Sequence, residues 1–237
     1  MKRRDIFQFS LFAILLGIQF LACKTDKAEA LENLEVTDTI VTTATADTPV
    51  YQAPYQPPEG WTELNRELGF VVDIRYATDS NFTGKIIYDC PKCLLRKDVA
   101  DYLIMLQKHL KEKYNLGIKV FDCYRPKPYQ QRLWDVVPDA RYVTPPAKGS
   151  MHSRGMAVDL TLVDSLGNEL DMGTAYDYFG KEAHIDFLDL PQEVLENRAF
   201  LKAKMEEYGF EAIRTEWWHF AFNKRMYNFD DFVWSCN

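Results

Sequence analysis

With 237 residues, 47% of them apolar and 14% aromatic, the chain can bury one substantial core and not two independent ones. Its formal net charge of −7 argues against nucleic acid or anionic lipid headgroups as partners, since phosphate-rich surfaces are recognised through a basic face. One catalytic or binding domain with appendages is the expectation.

Lys2, Arg3 and Arg4 precede an apolar run over residues 6–22 that ends at Cys23, the layout of a secretory signal. Gln8, Ser10 and Gln19 interrupt the run, which falls short of the roughly 20 apolar residues of a spanning helix. Phe20-Leu21-Ala22-Cys23 resembles a bacterial lipoprotein cleavage box, in which Cys23 is lipidated and becomes the new N-terminus; plain secretion is the alternative. The expected location is the bacterial cell envelope, periplasmic or anchored to the outer membrane, with the membrane touched through the lipid alone. Residues 23–58 read as the lipidated cysteine and a disordered tether, rich in Thr, Ala, Pro and acidic residues, spanning roughly 30–35 Å as a coil.

The catalytic domain is expected over residues 59–237. Residues 68–76 alternate as a strand, and Val99, Leu103, Leu106 and Leu110 place a helix over 97–114 that Gly117 closes. His109 beside that stripe reads as a partly buried surface histidine. A short buried strand over 118–124 stops at Arg125-Pro126, because proline lacks a ladder donor; Arg125 thus sits at a strand end. A helix over 128–136 follows, then a strand over 156–163 with Asp159 on its less apolar face. Residues 191–208 form the last helix, with Asp189 as N-cap and Gly209 as the stop, before a final strand over 217–222. This order lacks a regular βαβ alternation and predicts an α+β fold, a small and mostly antiparallel sheet flanked by helices.

Cys90, Cys93, Cys123 and Cys236 remain after Cys23, and outside the cytoplasm they point to structural disulfides, with three pairings open, or to buried free thiols. A zinc ribbon would need a second pair like Cys90-Pro-Lys-Cys93, and the chain has none.

Two segments concentrate unusual chemistry: residues 149–159 (GSMHSRGMAVD) and 216–219 (EWWH). Gly155 lets the backbone turn after His152, so that this loop histidine and Asp159 can converge on one ion. His219 supplies a third ligand, leaving the fourth tetrahedral position of a single catalytic Zn2+ for water. Glu216, three residues before that ligand, would face away on an ideal strand, so a turn or bulge at Trp217 is expected to bring both to the site. Glu216 would then act as general base toward water made acidic by the metal. Taken singly, each residue also has a plain structural reading: Asp159 could pair with Arg154, Arg125 could form a surface salt bridge, and Asp177 could cap a helix. His184 could support the site from outside, though a plain loop histidine is the simpler reading.

Five blocks, in order, resemble the D-alanyl-D-alanine dipeptidases of the VanX type over roughly residues 65–235: RYAT with NFTG at 75–84, YRPK at 124–127, residues 150–162, MGT with YD at 172–177, and GFEA leading to EWWH at 209–219. The resemblance implies zinc on His152, Asp159 and His219, Glu216 as base, and Arg125 stabilising the oxyanion of the tetrahedral intermediate. It also implies that Ser150 contacts the substrate carboxylate, while Asp177 and Tyr76 hold the free amino group. Tyr176 stands where the family pattern commonly has Phe. The expected activity is zinc-dependent hydrolysis of D-Ala-D-Ala. A D,D-carboxypeptidase of peptidoglycan stems and a non-catalytic zinc lipoprotein are the alternatives.

Overall fold

The computed structural model describes residues 55–236. The expected signal over 1–22, Cys23 and nearly all of the tether lie outside the described residues.

The centre is a five-stranded sheet, ordered β2 (Val71–Val72), β4 (Gly117–Asp122), β5 (Ala157–Val163), β7 (Glu216–Phe222) and β6 (Phe210–Ile213). Only the β2–β4 pair is parallel, as expected for an α+β fold with a mostly antiparallel sheet. A separate antiparallel ribbon joins β1 (Trp61–Leu64) to β3 (Cys93–Arg96). Three helices accompany the strands: α1 (Lys97–Tyr114), α2 (Lys127–Val136) and α3 (Gln192–Glu207).

The predicted stripe on α1 is fully buried, with Val99, Leu103, Leu106 and Leu110 at 0% exposure. Each such side chain contributes about 1.5–3 kcal/mol. Gln107 on the same helix is also buried, and it staples α1 to its surroundings: its Oε1 accepts the Ile118 N–H at 2.8 Å and its Nε2 donates to the Gly69 carbonyl at 2.8 Å.

Several sequence expectations are corrected. α1 is ended by Asn115, left-handed at φ 55°, rather than by Gly117. Asn tolerates that conformation, and its N–H closes onto the Leu110 carbonyl. Asp189 does not cap α3; Pro191 stands at the cap position without a side-chain bond. The strand expected over 68–76 is confined to Val71–Val72, and the chain then enters a 3-10 turn at Arg75–Ala77 that buries Tyr76. The Tyr76 carbonyl thereby accepts the N–H groups of Ile87 and Tyr88, satisfying a backbone that has left the sheet. β4 ends at Asp122, two residues early, and its register with β5 shifts between Val120 and Asp122. Of the open cysteine pairings, the protein has Cys90–Cys236 and Cys93–Cys123.

Candidate active site

β5 is buried along its whole length: Val158, Leu160 and Leu162 face the hydrophobic core, while Asp159 and Thr161 lie on the opposite face and are also buried. The β5–β7 register sets Asp159 directly opposite His219. On the other side, β4 sets Asp122 opposite Asp159. His152 enters from the loop before β5, in a 3-10 turn that Gly155 closes at φ +68°. A Cβ at Gly155 would lie 2.4 Å from the Trp61 ring, so no other residue fits without displacing that side chain.

Among the described residues, His152, Asp159 and His219 form the one group of three metal-ligating side chains. Their facing atoms make a triangle: His152 Nε2 lies 3.2 Å from His219 Nδ1 and 3.4 Å from Asp159 Oδ1, and His219 Nδ1 lies 2.9 Å from Asp159 Oδ1. Ligands held tetrahedrally at about 2.0–2.1 Å from zinc stand roughly 3.3 Å apart, so these residues fit one ion without rearrangement. The tautomer of His152 agrees: its Nδ1 lies 2.6 Å from the Cys123 carbonyl, which can only accept, so the proton sits on Nδ1 and the Nε2 lone pair faces the triangle. Burial alone would raise the Asp159 carboxyl, but the two imidazoles hold it far below the usual carboxylate range.

The predicted irregularity on β7 is present. β6 residue Ala212 pairs with Phe220, yet the next, Ile213, pairs with Glu216, so Trp217, Trp218 and His219 are looped past one step of β6. Trp217 and Trp218 are both buried in succession, and Glu216 and His219 both line one cavity of about 200 Å3. The Glu216 carboxyl makes no hydrogen bond or ion pair among the described residues, and burial pushes it above the usual range; His219 opposes this and Asp159 adds to it. A carboxylate so placed is suited to accept a proton and later return it.

Arg125 lines the same cavity, but it is buried (8% exposed) rather than a surface salt bridge. Asp122, fully buried, grips it through Oδ2, at 2.6 Å from Nη2 and 3.1 Å from Nε; the Tyr88 hydroxyl and Gln130 Oε1 also accept from the guanidinium. Of five N–H donors these contacts use three, leaving one on each terminal nitrogen for a ligand. Asp122 Oδ1 takes the Tyr88 hydroxyl and the Cys123 N–H. Asp122, Tyr88 and Gln130 escaped the sequence reading, and the one signal for Asp122 is its place three residues before Arg125 at the end of a mainly apolar strand.

The remaining wall is built by the loop over residues 172–184 and by Ser150. Asp177 has a left-handed backbone (φ 59°) that turns its carboxylate toward the Tyr76 hydroxyl, which donates at 2.9 Å. Burial first, and the nearby Asp159 charge second, push the Asp177 carboxyl well above the usual range, while the Tyr76 hydroxyl and Arg125 oppose this. Asp177 lies in this loop and not at a helix N-terminus, so the capping reading does not apply. Ser150 Oγ is buried without a hydrogen-bond partner among the described residues. The loop is held from behind by Arg198 of α3, whose buried guanidinium donates to the carbonyls of Met172, Glu182 and His184.

All eight residues proposed from the sequence thus line one cavity: Tyr76, Arg125, Ser150, His152, Asp159, Asp177, Glu216 and His219. Other candidates go elsewhere. His109 meets the Tyr208 hydroxyl, His184 meets Arg214 at the surface, and Arg154 donates to the Tyr227 carbonyl rather than pairing with Asp159.

The sequence profile of the peptidase M15 family, described as D-ala-D-ala dipeptidase, matches residues 67–234. The D-alanyl-D-alanine dipeptidase of Escherichia coli (strain K12) is 40% identical over 149 residues, 63% of this chain and 77% of that one. The D-alanyl-D-alanine dipeptidase of Enterococcus faecium is 30% identical over 179 residues, covering 65% and 87% respectively. A solved structure of VanYB in complex with D-Alanine-D-Alanine aligns with a TM-score of 0.38 and 16% identity over 55% of this chain and 72% of that one. With a profile that spans the whole site and relatives that align over most of their own length, the chain belongs to the D-ala-D-ala dipeptidase family of M15 peptidases.

Proposed function

We propose that the protein hydrolyses the dipeptide D-Ala-D-Ala into two D-alanines, with one Zn2+ held by His152, Asp159 and His219. The observation that carries the metal is the triangle of donor atoms with sides of 2.9, 3.2 and 3.4 Å, matched to a tetrahedral ion. Bound there, zinc would polarise the scissile carbonyl and lower the pKa of water to about 7.

The chain's own residues do the rest. Asp177, whose buried carboxylate wants a cation, and the Tyr76 hydroxyl bonded to it hold the substrate ammonium. The unpartnered Ser150 hydroxyl donates to the carboxylate at the other end. Arg125 directs its two remaining N–H groups at the oxygen that gains charge as water attacks, a kind of stabilisation worth several kcal/mol in an enclosed site. Glu216 takes the proton from the attacking water and delivers it to the leaving amine. The cavity of about 200 Å3 is smaller than the roughly 300–1,000 Å3 that accommodates drug-sized ligands, which supports a substrate as small as a dipeptide. A longer chain would leave a buried carboxylate without its ammonium, an error that costs far more than the loss of a contact.

The envelope location rests on the signal-like run up to Cys23 and gains support from the two disulfides, which persist in oxidising compartments. Cys23→Ser should release the protein from the membrane fraction if Cys23 carries the lipid. For the activity, release of D-alanine is measured from D-Ala-D-Ala and from a muramyl pentapeptide, with and without a chelator. Turnover of the dipeptide alone, abolished by the chelator, is expected; release from the pentapeptide alone would make the protein a D,D-carboxypeptidase.

A further inference from the structure

The two oxygens of Asp159 have separate duties. Oδ1 faces both imidazoles, at 2.9 Å from His219 Nδ1 and 3.4 Å from His152 Nε2. Oδ2 accepts a hydrogen bond from the Tyr176 hydroxyl at 3.1 Å. Asp159 is only 3% exposed, so water has little access to Oδ2 in place of that hydroxyl.

The Tyr176 hydroxyl is itself fixed by packing. Its ring stacks on Phe121 at 4.8 Å between centroids and meets Trp218 edge-on at 5.5 Å and Tyr76 at 6.3 Å. Trp218 lies next to His219 in β7, and Phe121 sits at the register shift of β4, beside Asp122. Asp177, the residue after Tyr176, turns back toward Tyr76. One side chain therefore touches the carboxylate of the cation triangle and also adjoins the loop residue whose carboxylate closes the opposite wall.

We propose that Tyr176 is a positioning residue for the metal ligand Asp159: by holding Oδ2 it presents Oδ1 alone to the ion. A carboxylate without this partner keeps a buried oxygen undonated and is free to rotate, offering either oxygen, or both, to the metal. The order in the triangle is then lost before the ion arrives. This inference rests on the zinc site proposed above and concerns how that site is kept in order.

Tyr176→Phe removes a single oxygen and retains the ring. The purified wild type and variant are stripped of metal, and zinc affinity is measured by competition with a chromophoric chelator. Partners that orient metal ligands typically contribute 10–100-fold in affinity, and a loss in that range is expected for Tyr176→Phe. The melting temperature of the metal-free protein should fall by about 2–12 °C, the cost of leaving one buried acceptor without its donor in a domain of this size. Tyr178→Phe, which removes an exposed hydroxyl bonded to Glu182, should leave zinc affinity unchanged. Affinity of Tyr176→Phe within about threefold of wild type, or an equal loss in Tyr178→Phe, would overturn the assignment. A wild type that fails to bind zinc would overturn the metal site itself, a distinct result.

Discussion

Replacing Asp122 by alanine removes the centre of the network that holds Arg125. Asp122 is 0% exposed and Arg125 is 8% exposed, joined at 2.6 and 3.1 Å, so the substitution leaves a buried guanidinium without its counter-charge. Breaking a buried pair from one side costs about 3–5 kcal/mol. The Tyr88 hydroxyl and the Cys123 N–H lose their acceptor as well, and each such loss adds roughly 1–3 kcal/mol unless water enters. The lower bound of about 3 kcal/mol corresponds to a drop in melting temperature of roughly 6–12 °C for a domain of this size. Urea unfolding of the metal-free protein, disulfides intact, measures it, with Asp101→Ala as the reference. The Lys97–Asp101 pair is exposed at both ends and should matter by no more than about 1 kcal/mol. If Asp122→Ala shifts the midpoint no further than Asp101→Ala, the claim that Asp122 holds Arg125 in place is wrong.

Asp177→Asn keeps the shape of the loop but removes the charge offered to the substrate ammonium, so KM for D-Ala-D-Ala should rise about tenfold or more, corresponding to a charge-assisted hydrogen bond of 1.5 kcal/mol or greater. Steady-state kinetics check it, and an unchanged KM would remove Asp177 from amine recognition. Cys93→Ser with Cys123→Ser opens a crosslink between residues 30 apart in sequence and should cost about 2–4 kcal/mol in urea unfolding. Arg198→Met strips three carbonyls of the 172–184 loop of their donors, and hydrogen exchange of that loop should accelerate while α1 stays protected.

The helices were legible because burial follows a 3.6-residue period that a single sequence displays: Val99, Leu103, Leu106 and Leu110 on α1 are all in the core. The site was legible for a different reason. Its candidate metal ligands are scarce residue types in two short segments, and the spacing of Glu216 and His219 conflicts with a regular strand, so the irregularity could be placed in advance at Trp217. Elements of four residues, such as β1, β3 and β6, hold too few alternations to stand out, and none of the three was foreseen. Asp122 was missed because an acid in a buried strand acquires its meaning from Arg125, Tyr88 and the Cys123 N–H, contacts that exist only after folding. The disulfide pairing was equally hidden, since Cys90 and Cys236 are separated by 146 residues and meet through the tertiary fold alone.

The most direct test of the account measures zinc content and D-Ala-D-Ala hydrolysis together in Glu216→Gln. The variant should retain one zinc per chain, because Glu216 stands outside the ligand triangle, while turnover falls by roughly 10²–10⁴-fold, the usual contribution of a positioned general base. Turnover near that of the wild type would contradict the assignment of Glu216, and loss of the metal together with activity would show that Glu216 belongs to the ligand set instead.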